Sequence, residues 1–301
     1  MNPIVCVLGA GRMGSSIVRA LLLSGHAVWV WNRTAAKTAP LAEAGAKVAE
    51  TAAEAVRAAD LVIVNVLDYD VSDRILRTPA VVEALAGKTL VQLTSGSPRL
   101  ARDQEAWAKV RSVAYLDGAI MATPDFIGRP EAALLYAGSR SAYERYEPTL
   151  RLLGAAGGYV GEDAGLASAL DTALLTQMWG ALFGALQGLA VAQAEGVAPS
   201  AFLGHLRAFK PVVDAAVVDA VERGGAGRTR ADEATLATLA AHYSAFQHLL
   251  EVTKVRGIDP ALPEALDSLF RRAAAAGRLE DDDFAALAPL VLGREEDLAD
   301  A

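Results

Sequence analysis

Two hydrophobic periods alternate along the first half of the chain. Short β-rich apolar runs at residues 4–8, 28–31, 61–66, 89–93 and 113–116 predict strands. Amphipathic stretches at 13–24, 35–44, 51–58, 70–75 and 98–110 predict the helices between them. A strand-like run at 132–136 and a helix at 142–152 complete this half. Strands that alternate with helices build parallel βαβ units, so the expected architecture is an α/β, Rossmann-type, doubly wound sheet. Past Gly161 the strand pattern stops. Ala/Leu-rich helical stretches follow, punctuated at Gly196, Gly224, Gly227, Gly257 and Gly277. The expected organisation is a Rossmann-type domain over 1–160 and an all-α domain over 161–301. The second opens with a long inter-domain helix at 161–195, and Arg228-Thr229-Arg230 is expected in an exposed loop.

One stretch departs from the amphipathic pattern. Residues 172–194 carry no charge, a length sufficient to cross a bilayer. Gln177, Gln187 and Gln193 interrupt it, and its flanks are Asp171 and Glu195, without the Lys/Arg bias of a membrane segment. The expectation is therefore a helix buried on nearly every side by protein, not a membrane span.

Composition narrows the classes. With 53% apolar residues in 301, the chain is too hydrophobic to be disordered. A net charge of −8 argues against a nucleic-acid partner. Cys6, the single cysteine, cannot form an internal disulfide, and its place in an apolar run points to a buried thiol in a reducing cytoplasm. The four histidines are scattered, so no metal site is expected. The start of the chain lacks a positive n-region and a cleavage site and reads as a strand, not a signal peptide.

Candidate chemistry begins directly after the first strand. Gly9-Ala10-Gly11-Arg12-Met13-Gly14 matches G-x-G-x-x-G and opens a helix. In that context Gly9 permits a tight turn, Gly11 lets a pyrophosphate approach the helix N-terminus, and Gly14 lets helix and strand pack closely. After the second strand an NAD-selective protein places an acid for the ribose hydroxyls. Here Asn32-Arg33-Thr34 follows instead, with Lys37 one turn beyond and Arg12 in the glycine loop. A guanidinium holds a 2′-phosphate through paired, charge-assisted hydrogen bonds, so NADPH is the expected cofactor. The loops after the next strands, with Leu67 and Asp68, and then Thr94 and Ser95, are placed to line the same crevice. For these loops helix N-capping by Asp68, Asp70 or Ser97 is an equal alternative.

Asp171 stands just ahead of the charge-free run. At 100° per residue it shares a face with Leu175, Met178 and Leu182, with Trp179 on the flank, while Gly180, Gly184 and Gly188 line the opposite side. The small-residue stripe suits close helix packing. The carboxylate faces either a cavity or, as an ordinary helix-end charge, solvent or an arginine.

These residues resemble the β-hydroxyacid dehydrogenase superfamily and, within it, the NADPH-dependent imine reductases. The resemblance is carried by the glycine loop, Asn32-Arg33-Thr34, Leu93-Thr94-Ser95-Gly96-Ser97-Pro98, and Tyr115-Leu116-Asp117-Gly118-Ala119-Ile120-Met121. Gly161-Glu162-Asp163-Ala164-Gly165-Leu166-Ala167, Asp171, Met178-Trp179-Gly180 and Arg256-Gly257-Ile258-Asp259 continue it over nearly the whole length. In the hydroxyacid dehydrogenases the long helix supplies a catalytic lysine; the matching position here is Ala167, and the following family asparagine matches Asp171. The resemblance implies that Asp171 is catalytic and that the reaction is reduction of a C=N bond by hydride transfer. An iminium is repelled by an ammonium and attracted by a carboxylate, by about 4 kcal/mol at ~4 Å and an effective dielectric near 20, before desolvation. It further implies a pocket aromatic at Trp179 beside Met178, with Phe209, His242 and Phe246 as walls. Trp179 and Ser95 stand where reductive-aminating members often have Tyr and Asn, which favours preformed, cyclic imines. An interlocked homodimer is also implied. The alternatives are a hydroxyacid dehydrogenase-type NADP oxidoreductase and a non-catalytic NADPH-binding sensor.

Overall fold

The apolar runs become interior strands of an eight-stranded sheet in a computed structural model that describes residues 2–293. In chain order the first part contains β1 (Val5–Leu8), α1 (Arg12–Leu23), β2 (Val28–Trp31), a 3-10 turn (Ala35–Lys37), α2 (Ala39–Glu43) and β3 (Lys47–Val48). Then come α3 (Ala52–Arg57), β4 (Leu61–Val64), α4 (Tyr69–Leu76), α5 (Pro79–Leu85), β5 (Thr89–Gln92) and α6 (Pro98–Lys109). It closes with β6 (Ala114–Met121), β7 (Ala133–Gly138), α7 (Arg140–Leu150) and β8 (Ala156–Gly161). Successive strand residues point to opposite faces, and both faces are covered, which is why the strands read as unbroken apolar runs. Val5 and Val7 pack with Ile17, Val18 and Leu21 of α1 on one face. Cys6 and Leu8 pack with Val56, Leu85 and Trp107 on the other.

The strand order is β3-β2-β1-β4-β5-β6-β7-β8. All neighbours are parallel except β6 and β7, which run antiparallel. Three elements were not legible in the pattern. β3 is two exposed residues, α5 is seven residues opened by a proline, and β8 is rich in glycine. Each forms because a neighbouring strand or helix receives it, not because its own composition demands it.

A first compact unit ends at Gln177 and a second begins at Met178. The 30-residue α8 (Gly165–Ala194) runs from one into the other. The second unit continues with α9 (Pro199–Gly225), α10 (Leu239–Val255), α11 (Ala261–Ala275), a 3-10 turn (Phe284–Leu287) and α12 (Ala288–Val291). Its core gathers Leu239, Phe270, Ala273, Ala286, Leu287 and Leu290. The segment after Gly227, expected as an exposed inter-helix loop, has Arg228 and Arg230 exposed and is also tethered. Arg230 bridges to Asp282 in the backbone, and the buried Arg223 grips Asp232 at 2.7 and 3.1 Å and Asp219 at 3.0 Å. A guanidinium taken out of water needs such acids around it.

The charge-free helix requires a larger correction. In its first two turns Gly165, Ala167, Ser168 and Asp171 are buried, but further along Leu174, Met178, Trp179, Leu182, Phe183 and Leu186 are exposed. Phe183 is 62% exposed, and α9 likewise leaves Phe209, Val212, Val218 and Val221 in the open. The core of the second unit forms on α10, α11 and the segment after them and draws nothing from α8. Within one chain the helix is not surrounded. Among the described residues it is the one helix long and apolar enough to cross a membrane.

Two glycines of the first βα turn separate packing from open space. A Cβ on Gly14 would stand 2.2 Å from the backbone oxygen of Gly9, whereas one on Gly11 meets nothing within 4 Å. Gly14→Ala is expected to destabilise the first unit by about 1–3 kcal/mol, as overpacking against backbone does, and Gly11→Ala to leave stability within ~0.5 kcal/mol. Urea unfolding of the two variants checks this; equal midpoints would refute it.

Candidate active site

The sheet order reverses at β1. The connection after β1 therefore leaves on one side and that after β4 on the other, opening a crevice at their carboxyl ends. There the structure has a cleft of about 880 Å³. It brings together Gly9, Gly11, Arg12, Met13, Asn32, Arg33, Thr34, Lys37 and Leu67 from the sequence-predicted set. Gly9 holds φ +117°, and a side chain on it would strike the Asn65 carbonyl across the β1–β4 boundary. Gly11 lines the cleft but has no protein atom near its missing side chain, so the space beside it is room for a ligand. Asn32 fixes the geometry of two loops. Its Oδ1 accepts from the Ala10 amide at 3.0 Å, and its Nδ2 donates to the Thr34 carbonyl at 2.9 Å. Arg12, Arg33, Lys37 and Arg74 face one carboxylate, Glu50, among the lining side chains. A cleft with that balance, beside a helix N-terminus, fits a phosphate-rich dinucleotide.

Arg74, Val71 and Ile75 of α4, and Thr51 and Ala52 at the start of α3, also line the cleft and were not singled out from sequence. Their signal is positional: each lies just past the carboxyl end of β3 or β4. Gly14, Asp68, Thr94 and Ser95 do not line it. Gly14 packs on the Gly9 backbone. Asp68 caps α4, accepting from the Val71 amide at 2.7 Å. The Thr94 hydroxyl accepts from the Val66 amide at 3.1 Å and is buried, and Ser95 is exposed at the loop tip.

Beneath these loops lies a polar network that the sequence pattern did not reveal. Asp117, on β6, is fully buried. It accepts from the Tyr69 hydroxyl of α4 and from Ser168 Oγ of α8 at 2.6 Å, and the Tyr115 hydroxyl stands 3.3 Å away. Tyr115 also reaches Gln104 Oε1 at 3.2 Å, and Gln92 donates to Gln104 and Ser72 at 2.7 Å each. Gln92 Oε1 in turn accepts from the Thr94 amide at 3.2 Å. The Tyr69 ring lies directly under Gly96, where any side chain would collide with it. Burial pushes the Asp117 carboxyl up to about 6, against the pull of its hydroxyl donors. The folded chain thus holds this proton more tightly than the unfolded one. Stability from this group is complete below the ordinary carboxylate range and is lost as pH rises through about 6.

Asp171 sits one turn after Ser168 on the same helix. It is 7% exposed and accepts no hydrogen bond from any described residue. Burial alone raises its pKa. The start of its helix is fixed from α6: Arg102 pairs with Asp163 through two bonds of 2.8 Å, and Asp163 also accepts from the Gly165 amide at 2.9 Å. At the expected lysine position, Ala167 is fully buried.

In the second unit His242 and Phe246 line an apolar cavity of about 300 Å³ with Phe270, Phe284 and Leu287. The His242 ring is 5.0 Å from that of Phe284. Met178, Trp179 and Phe209 lie on exposed helix faces and do not contribute to this cavity.

Known proteins share this arrangement. The family model described as the NAD binding domain of 6-phosphogluconate dehydrogenase matches residues 4–161. That described as the NADPH-dependent reductive aminase-like C-terminal domain matches residues 163–291. The imine reductase of Myxococcus stipitatus in complex with NADP+ is 51% identical, with a TM-score of 0.92 over 96% of this chain and 100% of that one. A reductive aminase of Aspergillus terreus, in complex with NADPH and ethyl-5-oxohexanoate, is 33% identical with a TM-score of 0.87 over 97% and 100%. The NADPH-dependent reductive aminase of Aspergillus oryzae is 41% identical over 192 residues, and the match spans 64% of the length of each protein. With the glycine loop, the Asn32-Arg33-Thr34 turn and an aspartate in place of a lysine on the long helix, the chain belongs to the imine reductase and reductive aminase family.

Proposed function

We propose that this protein is an NADPH-dependent oxidoreductase that reduces the C=N bond of imines, cyclic ones foremost, to amines, with Asp171 as the catalytic carboxyl. The observation that carries the reading is a buried carboxyl, without a partner among the described residues, one turn past a fully buried Ala167. A lysine at that position, the donor a hydroxyacid dehydrogenase uses, is absent, and its place is closed by packing. In the assigned division of labour, 1–160 binds the nucleotide and 161–301 supplies the substrate side and the dimer contact.

The bound dinucleotide supplies a hydride to the substrate carbon. Gly9, Gly11 and Met13 shape the loop that receives its pyrophosphate, and Arg12, Arg33, Thr34 and Lys37 recognise its 2′-phosphate. Asp171, whose pKa is raised by burial, gives its proton to the imine nitrogen. The nitrogen becomes an iminium cation and Asp171 a carboxylate. The pair then holds together with about 4 kcal/mol at ~4 Å and an effective dielectric near 20, before desolvation. Hydride arrival neutralises the cation, the amine leaves, and Asp171 regains a proton from water. The resemblance assigns Trp179, Met178, Phe209, His242 and Phe246 to the substrate pocket, and of these His242 and Phe246 line one apolar cavity of the second unit.

The exposed apolar faces of α8 and α9 meet a second copy of this chain, making a homodimer. Family membership supports this, as does the backbone left open at Gly180 and Gly184, where a Cβ would meet no atom of its own chain. The three glutamines of α8 and the charged residues interspersed along α9, among them Lys210 and Asp214, favour protein over lipid as the cover. A soluble cytoplasmic protein accords with the buried Cys6 and the acidic balance.

Three outcomes are expected. Asp171→Ala loses about 100-fold or more of turnover on a pyrroline or dihydroisoquinoline, as loss of a general acid does, and keeps NADPH affinity; unchanged turnover would sink the assignment. Arg33→Ala raises KM for NADPH at least ~10-fold and leaves KM for NADH within ~2-fold; equal effects would remove Arg33 from the phosphate site. Sedimentation equilibrium gives twice the chain mass, and Phe183→Lys shifts it toward the monomer; a monomeric wild type would overturn the dimer.

A further inference from the structure

The Asp117 network has no part in the chemistry proposed above, yet Asp117, Tyr69 and Tyr115 form a buried ionisable cluster in the first unit. It joins four elements. Asp117 on β6 takes hydroxyls from Tyr69 on α4 and Ser168 on α8, and Tyr115 carries the network to Gln104 on α6. Its sheet neighbours opposite in the register are Gln92 on β5 and Ala137 on β7, neither of which titrates. The titratable groups facing it are therefore the phenols of Tyr69 and Tyr115, both held far in their neutral form by burial, with Asp171 one turn beyond Ser168. Ser168 and Asp171 are three residues apart, so they lie on one face of α8.

We propose that Asp117 is a positioning residue. By taking the Ser168 hydroxyl it locks the first turns of α8 onto β6 and holds the Asp171 carboxyl in its working orientation. This rests on the assignment of Asp171 as the catalytic carboxyl. The geometry gives the lock a direction. An ionised Asp117 holds the Tyr69 and Ser168 hydroxyls by charge-assisted bonds, roughly twice as strong as those to a neutral carboxyl. On protonation the new proton goes to the Tyr115 oxygen, the Tyr115 proton goes to Gln104 Oε1, and the bond from Ser168 loses that charge assistance. The same carboxyl is linked through Gln104 and Gln92 to the amide of Thr94, so the loop beside Tyr69 and the catalytic helix share one anchor. The carboxyl titrates near 6, within reach of ordinary assay conditions.

The test compares Asp117→Asn, Ser168→Ala and the double variant with Asp171→Asn, each as the full chain with saturating NADPH and a cyclic imine. For Asp117→Asn, kcat is expected to fall about 10- to 100-fold, the scale of a small misplacement of a reacting group, and NADPH Kd by cofactor fluorescence to stay within ~2-fold. Wild-type kcat is expected to decline as pH falls through about 6, and Asp117→Asn to lose that limb. Ser168→Ala, which leaves the carboxyl in place, is expected to lower kcat in the same sense and serves if the Asn variant fails to fold. The double variant is expected to lose no more than the worse single within ~2-fold, since both act through one hydrogen bond. Loss in Asp171→Asn with a normal kcat, a retained acid limb or multiplicative losses in the others overturns the positioning role alone. Full turnover in Asp171→Asn overturns the Asp171 assignment and the positioning role together.

Discussion

A carboxyl on an interior strand of an apolar sheet has to be answered by donors, and Asp117 is answered from outside its own strand. Desolvating an ion costs several kcal/mol, and hydrogen bonds to a charged group return about 1.5–3 kcal/mol each. With hydroxyls from Tyr69, Ser168 and Tyr115 the two sides nearly balance, which is why the carboxyl is lifted only to about 6 and not far beyond. The balance needs all three partners. Two of them belong to helices that carry functional loops, so the fold of the sheet, the position of α4 and the start of α8 are mutually dependent.

Around that anchor the site divides by chemistry. At the carboxyl ends of β1 and β4 the cleft is lined by backbone, small residues and four cations, suited to a ligand defined by phosphates. One turn past Ser168 on α8, Asp171 is buried and accepts no hydrogen bond from any described residue. The first environment stabilises a permanent anion by direct pairing. The second favours the neutral form of the carboxyl over the ionised one. In the proposed assignment the cleft holds the hydride donor and Asp171, on α8, is the acid.

Legibility followed locality. Gly9 through Gly14 and Asn32 through Lys37 were readable because each acts within a few residues of a strand end, and the strand periods locate those ends. Asp171 was readable as the last charge before a long run without any. Asp117 carried a signal that went unused: a charge inside a run otherwise buried, between Leu116 and Gly118. Its partners Tyr69 and Ser168 lie 48 and 51 residues away, and nothing in spacing or composition pairs them. Asp68 read equally as a ligand contact or as a helix cap, and it caps α4; Thr94, which read as a ligand contact, braces the Val66 amide with its hydroxyl.

The sequence by itself determined the alternation of strands and helices, the crevice at the first βα turn, the preference for a phosphate over a ribose hydroxyl, and the change to helices after Gly161. These are set by period, by backbone freedom and by charge, all local quantities. The tertiary structure decided the antiparallel β6–β7 pair, the strand made of glycines at β8, the buried network under Gly96, and which part of α8 is covered. Composition showed that α8 must escape water, but burial depends on what surrounds a helix. A single chain buries its first two turns and half-buries its last ones, but leaves most of the stretch from Leu174 to Leu186 exposed, with the apolar face of α9 likewise uncovered.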